Sequence, residues 1–215
     1  MSFARYTLRT TDVDAARAFY SDVLGDVDGL VFTALPEAAR QRGAPAHWLG
    51  ALHVSDVEAA KTKMLALGAE RLGPPTSSIL RDPWGAVVEL TLEPPASSSR
   101  VDWHLLHTRD RAAAFALYAS IAGLHEQGRV MHEGLVHQGF SSAAQRGSIA
   151  QTANMPGVHP HWLFFFRVVN VDVAAAKVRA LGGNAFEVAA RANDDRLVHC
   201  EDAQGAAFGL YSGEL

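Results

Sequence analysis

The chain has 215 residues, of which 48% are hydrophobic and 20% charged, and its formal net charge is −4 at pH 7. This balance is typical of a globular protein with a hydrophobic core, and the weak negative charge argues against nucleic acid or an anionic membrane as a partner. Cys200 is the single cysteine, no apolar run is long enough to span a membrane, and the first residues lack a signal-peptide pattern, so the sequence predicts a cytoplasmic protein.

The first part of the chain alternates strand and helix patterns. Helical spacing follows the capping residues Asp12 and Asp56, and each helix is expected to end at a glycine, Gly25 or Gly68. Residues 36–45 show neither period and are expected to be irregular. Strands are predicted over 3–9, 29–34, 48–54, 79–80 and 86–92, and helices over 14–24 and 57–67.

Residues 94–99 contain two prolines and three serines, which favour a linker over a strand or a core segment. They separate a predicted domain 1–93 from a predicted domain 100–215. After the linker the strand and helix patterns start again. Strands are predicted over 101–107, 127–132, 135–141, 147–152, 162–168, 186–190, 197–200 and 206–211, and helices over 110–122 and 171–181.

The two halves share a stretch in fixed register. His47-Trp48-Leu49 and Ala66-Leu67-Gly68 return as His161-Trp162-Leu163 and Ala180-Leu181-Gly182, each 114 positions later. Such a repeat indicates an internal duplication. Earlier in the chain the offset is only 98, from Leu8 to Leu106. The first half is therefore shorter before the repeat, and its opening module is expected to lack one strand or more.

Several stretches resemble the glyoxalase/bleomycin resistance/extradiol dioxygenase group, the vicinal oxygen chelate superfamily. The stretches 11–25 and 56–60 are similar to its helix signatures, and 82–90 to its closing turn and strand. The stretches 44–49 and 202–210 look like a two-domain bacterial branch described only as glyoxalase-like. The resemblance implies an α+β fold of four βαβββ modules, paired into two cupped-sheet domains that each hold a ligand or a metal, as a monomer or a homodimer.

The resemblance also assigns the family's metal-ligand positions. In the first domain they fall on Arg5, Leu49 and Glu89. In the second domain they fall on Trp103, Leu163 and Gly209. A guanidinium cannot ligate a divalent metal, so the expectation is no metal cofactor, with an Arg5–Glu89 ion pair in its place. The alternative is a shifted divalent-metal site formed by His47, His53 and Glu89, which share one strand face.

Strand alternation then assigns the residues that face into the second cup. Trp48 and Trp162 fall on the opposite, helix-packed face, and Gly209 is expected to leave room for a ligand. An aromatic cup with a few polar groups is typical of a small-molecule pocket, although the same aromatic residues could instead fill a core. The predicted ligand-binding residues are Trp103, His107, His161, Phe165, Arg167 and Tyr211.

These observations predict a small-molecule-binding protein or a metal-independent enzyme that holds an aromatic or apolar metabolite in the second cup. Members of the group that sequester drugs act by binding alone, so the resemblance does not require catalysis. The alternative is a metal-dependent lyase, isomerase or dioxygenase that uses Glu89 with His47 and His53. A purely structural module is the third reading. Cys200 lies in an apolar strand and is expected to be inert packing.

Overall fold

The computed structural model describes residues 2–95, 100–132, 135–141, 145–190 and 196–213. Within these ranges the chain forms fifteen strands and five helices, so the predicted α+β fold is confirmed. No helix in the described part of the chain is long and apolar enough to cross a membrane.

The first half begins with a strand, a helix and a parallel strand. Tyr6 pairs with Leu30 and Thr10 with Ala34 in this parallel ladder. A complete module of one strand, one helix and three strands follows. The elements are β1 (Phe3–Thr10), α1 (Val13–Leu24), β2 (Leu30–Ala34), α2 (Glu37–Gln41), β3 (His47–His53), α3 (Val57–Ala66), β4 (Glu70–Arg71), β5 (Ile79–Arg81) and β6 (Val87–Thr91).

The second half contains two full modules. The elements are β7 (Val101–His107), α4 (Arg111–Ala122), β8 (His125–His132), β9 (Leu135–Ser141), β10 (Arg146–Ala150), β11 (His161–Arg167), α5 (Val171–Ala180), β12 (Asn184–Ala185), β13 (Ala189–Ala190), β14 (Arg196–Glu201) and β15 (Ala207–Ser212).

Each half builds its own sheet. The described strands of the first half are hydrogen bonded in the order β2-β1-β3-β6-β5-β4. Those of the second half follow the order β12-β14-β15-β11-β7-β10-β9-β8, with β13 also on β14. In the first sheet β2 lies next to β1, as β10 lies next to β7 in the second, and the described residues of the first half contain no counterpart of β8 and β9. The predicted shortening of the opening module is therefore confirmed.

The Cα positions divide the chain into two compact units. Unit 1 consists of Met1–Arg5, Leu49–Ser97 and His104–Trp162. Unit 2 consists of Tyr6–Trp48, Ser98–Trp103 and Leu163–Leu215. Each unit thus contains residues from both halves of the sequence. The domain boundaries 1–93 and 100–215 remain a prediction, and residues 96–99 of the predicted linker 94–99 lie outside the described residues.

In unit 1 a buried chain of hydrogen bonds joins the two halves of the sequence. Trp162 Nε1 donates to Tyr118 Oη at 3.3 Å, and the Tyr118 hydroxyl donates to Asp82 Oδ2 at 2.9 Å. Asp82 Oδ1 accepts the backbone N–H groups of Trp84, Gly85 and Ala86. Burial raises the pKa of Asp82 although these hydrogen bonds oppose the rise, and it raises the pKa of Tyr118 well above its ordinary value.

The same chain recurs in unit 2. Trp48 Nε1 donates to Tyr20 Oη at 2.9 Å, and the Tyr20 hydroxyl donates to Asp202 Oδ2 at 3.2 Å. Tyr20 belongs to α1, and its ring also contacts Phe166 and Phe208. Trp48 and Trp162 therefore lie against helix residues, as strand alternation predicts. The repeated tryptophan supports the core, because a buried indole N–H needs an acceptor.

Several segments differ from the sequence prediction, which did not include the two-residue strands β4 and β12. Residues 36–45 include the short helix α2 instead of being wholly irregular. The strand predicted over 186–190 is confirmed only at Ala189–Ala190, which form β13 and pair with β14, whereas Phe186 lies outside both β12 and β13 and is exposed. The backbone N–H of Phe186 still donates to His199 O at 2.9 Å.

Candidate functional site

An ion pair lies at the family's first-half metal position. Arg5 on β1 donates from Nη2 to Glu89 Oε1 at 3.1 Å, although β3 lies between β1 and β6 in the sheet. Ala51 of β3 is the register partner of Glu89, and its small side chain leaves room for the longer ones on that face. The predicted Arg5–Glu89 ion pair is confirmed.

A second carboxylate completes this cluster. Arg5 Nε donates to Glu93 Oε2 at 3.3 Å. Burial lowers the pKa of Arg5, but attraction to Glu89 and Glu93 outweighs that effect and raises it. Glu93 is not among the predicted site residues, although it continues the alternation of Val87, Glu89 and Thr91 and so could have been found by parity. The guanidinium is therefore a permanently charged group with two carboxylate partners.

The remaining metal position of the first half offers no donor. Leu49 is 1% exposed, and a hydrocarbon side chain cannot ligate a cation. In the part of the chain that the structure describes, no group of three or more His, Cys, Asp or Glu side chains could hold a metal ion. The residues present at positions 5, 49 and 89 do not fit the family's divalent metal.

The histidines of the alternative metal set have other partners. His53 Nδ1 donates to the carbonyl of Glu93 at 2.9 Å in unit 1, where Glu89 also lies. His47 belongs to unit 2, and its Nδ1 donates to the carbonyl of Pro45 at 2.9 Å. Burial lowers the pKa of His47, which favours its neutral form. This geometry gives the shifted site no support, and the site stays a prediction.

The second-half metal positions are also without ligands. Trp103 and Leu163 carry no metal-binding atom. A Cβ built on Gly209 would lie 2.2 Å from Phe165 Cδ1, so the Phe165 ring fills the volume beside this glycine. The expectation that Gly209 leaves room for a ligand was wrong, because a ring from the neighbouring strand β11 covers the backbone there.

The six predicted ligand-binding residues do not fall into one unit. His107 and His161 belong to unit 1. The other four belong to unit 2, where Phe165 and Tyr211 are buried, Trp103 is half-buried and Arg167 is exposed. The Phe165 ring contacts the His199 ring with centroids 5.4 Å apart. As a ligand-binding set these residues stay a prediction.

In unit 1 the two predicted histidines form a stacked pair. The ring centroids of His107 and His161 are 4.6 Å apart, and the ring planes differ by 23°. His161 Nδ1 donates to the carbonyl of His159 at 2.7 Å, which leaves Nε2 as the lone-pair nitrogen of a neutral ring. His107 Nδ1 lies 2.6 Å from Thr152 Oγ1, a partner that strand alternation could not reveal.

The His161 ring is a neutral hydrogen-bonding group near pH 7. Burial lowers its pKa, and the hydrogen bond to the His159 carbonyl only partly offsets this. A neutral imidazole with one nitrogen held by the backbone can accept a hydrogen bond, or a proton, at the other. The pair could therefore orient a polar group of a bound molecule.

Comparison with known proteins identifies relatives over nearly the whole chain. No protein-family model matches the sequence. A Mycobacterium bovis protein with the provisional name glyoxylase CFP32 is 27% identical, over 94% of this chain and 91% of its own.

Solved structures share the fold at lower identity. The 2,2′,3-trihydroxybiphenyl 1,2-dioxygenase of Sphingomonas wittichii strain RW1 aligns with a TM-score of 0.62 at 14% identity, over 99% of this chain and 90% of its own. The Mn(II)-bound glyoxalase of Novosphingobium aromaticivorans aligns with a TM-score of 0.58 at 16% identity, over 98% of this chain and 81% of its own. With four helix-bearing modules and two sheets, the chain has the fold of these glyoxalase and dioxygenase structures, and over nearly its whole length it is similar to a glyoxylase-named relative, as the resemblance to the vicinal oxygen chelate superfamily predicts.

Proposed function

We propose that the chain binds a small, mainly aromatic or apolar organic molecule without a divalent metal ion. It does so either as a binding protein or as a metal-independent enzyme. The molecule contacts the stacked His107–His161 pair, whose ring nitrogens provide the polar contacts, while its apolar part is buried. Burial of apolar surface with a few directed hydrogen bonds is how small-molecule sites of proteins generally work.

One observation carries this proposal: the Arg5–Glu89 ion pair at 3.1 Å. A divalent cation at Glu89 would have to displace or repel a guanidinium that is charged at every physiological pH. Breaking the pair to admit a metal would cost the charge-assisted hydrogen bond between Arg5 and Glu89. Leu49 would add no ligand in compensation.

A metal-dependent lyase, isomerase or dioxygenase is the second candidate. It is favoured by the manganese-bound glyoxalase, which shares the fold. In this chain it would use Glu89 with His47 and His53. It requires Glu89 to leave Arg5, and it requires His47 and His53 to come together at Glu89 with Nε2 as the ligating atom, since their Nδ1 atoms donate to carbonyls.

A thermal-shift screen of small organic acids, phenols and amides, with and without chelator, separates the two candidates. A ligand that binds the folded state raises the unfolding temperature by mass action. The proposal expects stabilising compounds whose shift is the same in EDTA, and reduced when His161 is replaced by Phe. Shifts that vanish in EDTA and return with Mn²⁺ would instead establish the metal-dependent candidate. A cytoplasmic location and a monomeric or homodimeric state remain predictions.

A further inference from the structure

We propose that the chain forms a homodimer in which the outer edge of β2 pairs antiparallel with β2 of a second copy. The strand consists of Leu30–Ala34 in unit 2. The inference does not depend on the proposed function, because no residue of β2 takes part in that function.

The outer edge of β2 lacks the strand that covers the equivalent edge in the second half. Its inner edge pairs with residues 6–10 of β1, and no other described strand lies beside it. In the second half, β10 is also a five-residue strand, and the antiparallel strand β9 covers it from Arg146 to Ala150. The same chain therefore shows that an antiparallel strand is the natural occupant of this edge.

The direction of the backbone groups on β2 follows from its ladder with β1. The N–H of Leu35 donates to Thr10 O at 2.7 Å, so the odd-numbered residues of this segment direct their N–H and C=O groups toward β1. Phe32 and Ala34 have the opposite parity and direct theirs to the outer edge. These are the groups that a further strand would pair with.

Two copies of this edge are complementary. With a two-fold axis at Phe32, each Phe32 N–H donates to the Phe32 carbonyl of the other copy, and each Ala34 N–H donates to the Leu30 carbonyl of the other copy. The N–H of Leu30 donates within its own chain to Val27 O at 3.1 Å, so the ladder ends there. Both copies use the same groups, as the symmetry of most protein dimers requires.

The other terminal strands are protected against such pairing. Natural sheet edges are protected by very short strands, by charged side chains or by a bulge. β4, β12 and β13 have two residues each, and both residues of β4, Glu70 and Arg71, are charged. The register of β8 with β9 shifts between Glu126 and Arg129. Among the described terminal strands, β2 combines five uncharged residues with an unbroken register, so it is the one suited to a second copy.

Sedimentation velocity of the parent between about 1 and 100 μM tests the inference, since so short a contact is expected to dissociate in this range. Ala34→Pro removes an outward N–H but no hydrogen bond to β1, and it is expected to raise the dissociation constant of the dimer about tenfold or more. Thr33→Lys places a charge on the exposed edge and should also weaken the dimer, which provides a test if the proline variant does not fold. The matched control is Thr62→Lys at an exposed position of α3, which should leave the dimer unchanged.

Hydrogen exchange of the backbone amides tests where the two copies meet. The amides of Phe32 and Ala34 are expected to exchange more slowly at about 100 μM than at about 1 μM, because pairing protects them. A parent that stays monomeric over this range would overturn the inference. So would folded Ala34→Pro or Thr33→Lys protein that dimerises with the affinity of the parent, or a dimer in which these two amides exchange as fast as in the monomer.

Discussion

His104 lies on β7 in unit 1, and it is fully buried. Its ring stacks on Phe3 with centroids 5.1 Å apart, and its Nδ1 donates to the carbonyl of Arg146 at 3.1 Å. Burial lowers the pKa of His104 from 6.5 to about 4, and the hydrogen bond to the carbonyl only partly opposes this. The folded protein therefore keeps this imidazole neutral where the unfolded chain protonates it.

The sign and size of the effect follow from proton linkage. Since the pKa is lower in the folded state, the stabilisation is complete above pH 6.5 and is lost as the pH falls through about 4. A tenfold change in proton affinity corresponds to about 1.4 kcal/mol. Protonation linked to His104 alone therefore lowers the free energy of unfolding by about 3 kcal/mol as the pH falls from 6.5 to about 4. That is a large fraction of the roughly 5–15 kcal/mol that stabilises a typical domain.

Urea unfolding followed by tryptophan fluorescence at pH 7, 6, 5 and 4 measures this loss. His104→Gln keeps a side-chain donor for the Arg146 carbonyl but has no titrating group. Its free energy of unfolding should fall by about 3 kcal/mol less than that of the parent between pH 7 and pH 4. His47 and His161, whose pKa values burial also lowers, are present in both proteins and cancel.

The exposed His125 provides the control, because His125→Gln should keep the pH dependence of the parent. Parallel stability curves for the parent and His104→Gln, within about 0.5 kcal/mol at every pH, would refute the assignment. If His125→Gln also abolished the loss of stability at low pH, the loss would not come from the buried His104 ring.

Three further predictions concern other buried groups. Tyr118→Phe removes the donor to Asp82 Oδ2 and should cost about 1–3 kcal/mol in urea unfolding. Folding raises the pKa of Tyr118, so the parent should also lose stability as the pH rises above 10, the ordinary pKa of tyrosine, and Tyr118→Phe should lose less. An equal loss of stability in both proteins above pH 10 would contradict this. Gly209→Ala should destabilise by about 1–3 kcal/mol through its clash with the Phe165 ring, and an unchanged unfolding midpoint would show an open space there instead. Burial raises the pKa of Cys200 to about 12, so a thiol reagent at pH 8 should label it only in unfolding conditions, and rapid labelling of the native protein would contradict the packing role.

Local chemistry made most of the elements predictable from the sequence. The side chain of Asp12 accepts the N–H of Ala15 at the start of α1, and that of Asp56 accepts the N–H of Ala59 at the start of α3. Gly25 follows α1 with a φ of 84°, which favours glycine. Capping and periodicity act within a few residues, so they can be recognised from the amino-acid sequence alone.

The ion pair of Arg5 and Glu89 was predictable for a different reason. The family resemblance assigns both residues to metal positions that face inward, and opposite charges there suggest a pair. Strand alternation then assigns the faces of the other residues. The same alternation could not show that the Phe165 ring fills the space beside Gly209. Alternation fixes the face of a side chain but not the direction in which its ring lies on that face.

The hydrogen bond between Tyr118 and Asp82 could not be predicted from periodicity. It joins a helix of the second half to a turn of the first half, and neither local pattern carries information about the other. Buried polar groups need partners, but the sequence alone does not identify them. For the same reason the sequence did not predict that each compact unit would take residues from both halves.

The central proposal is that the Arg5–Glu89 ion pair takes the place of a metal site in the first half of this chain. Elemental analysis of protein purified without chelator, compared with Glu89→Gln, tests it most directly. The account predicts far less than one equivalent of Mn, Fe, Ni or Zn in both proteins, because Arg5 holds the carboxylate that a metal would need. One equivalent of any of these metals in the parent, lost in Glu89→Gln, would contradict the account.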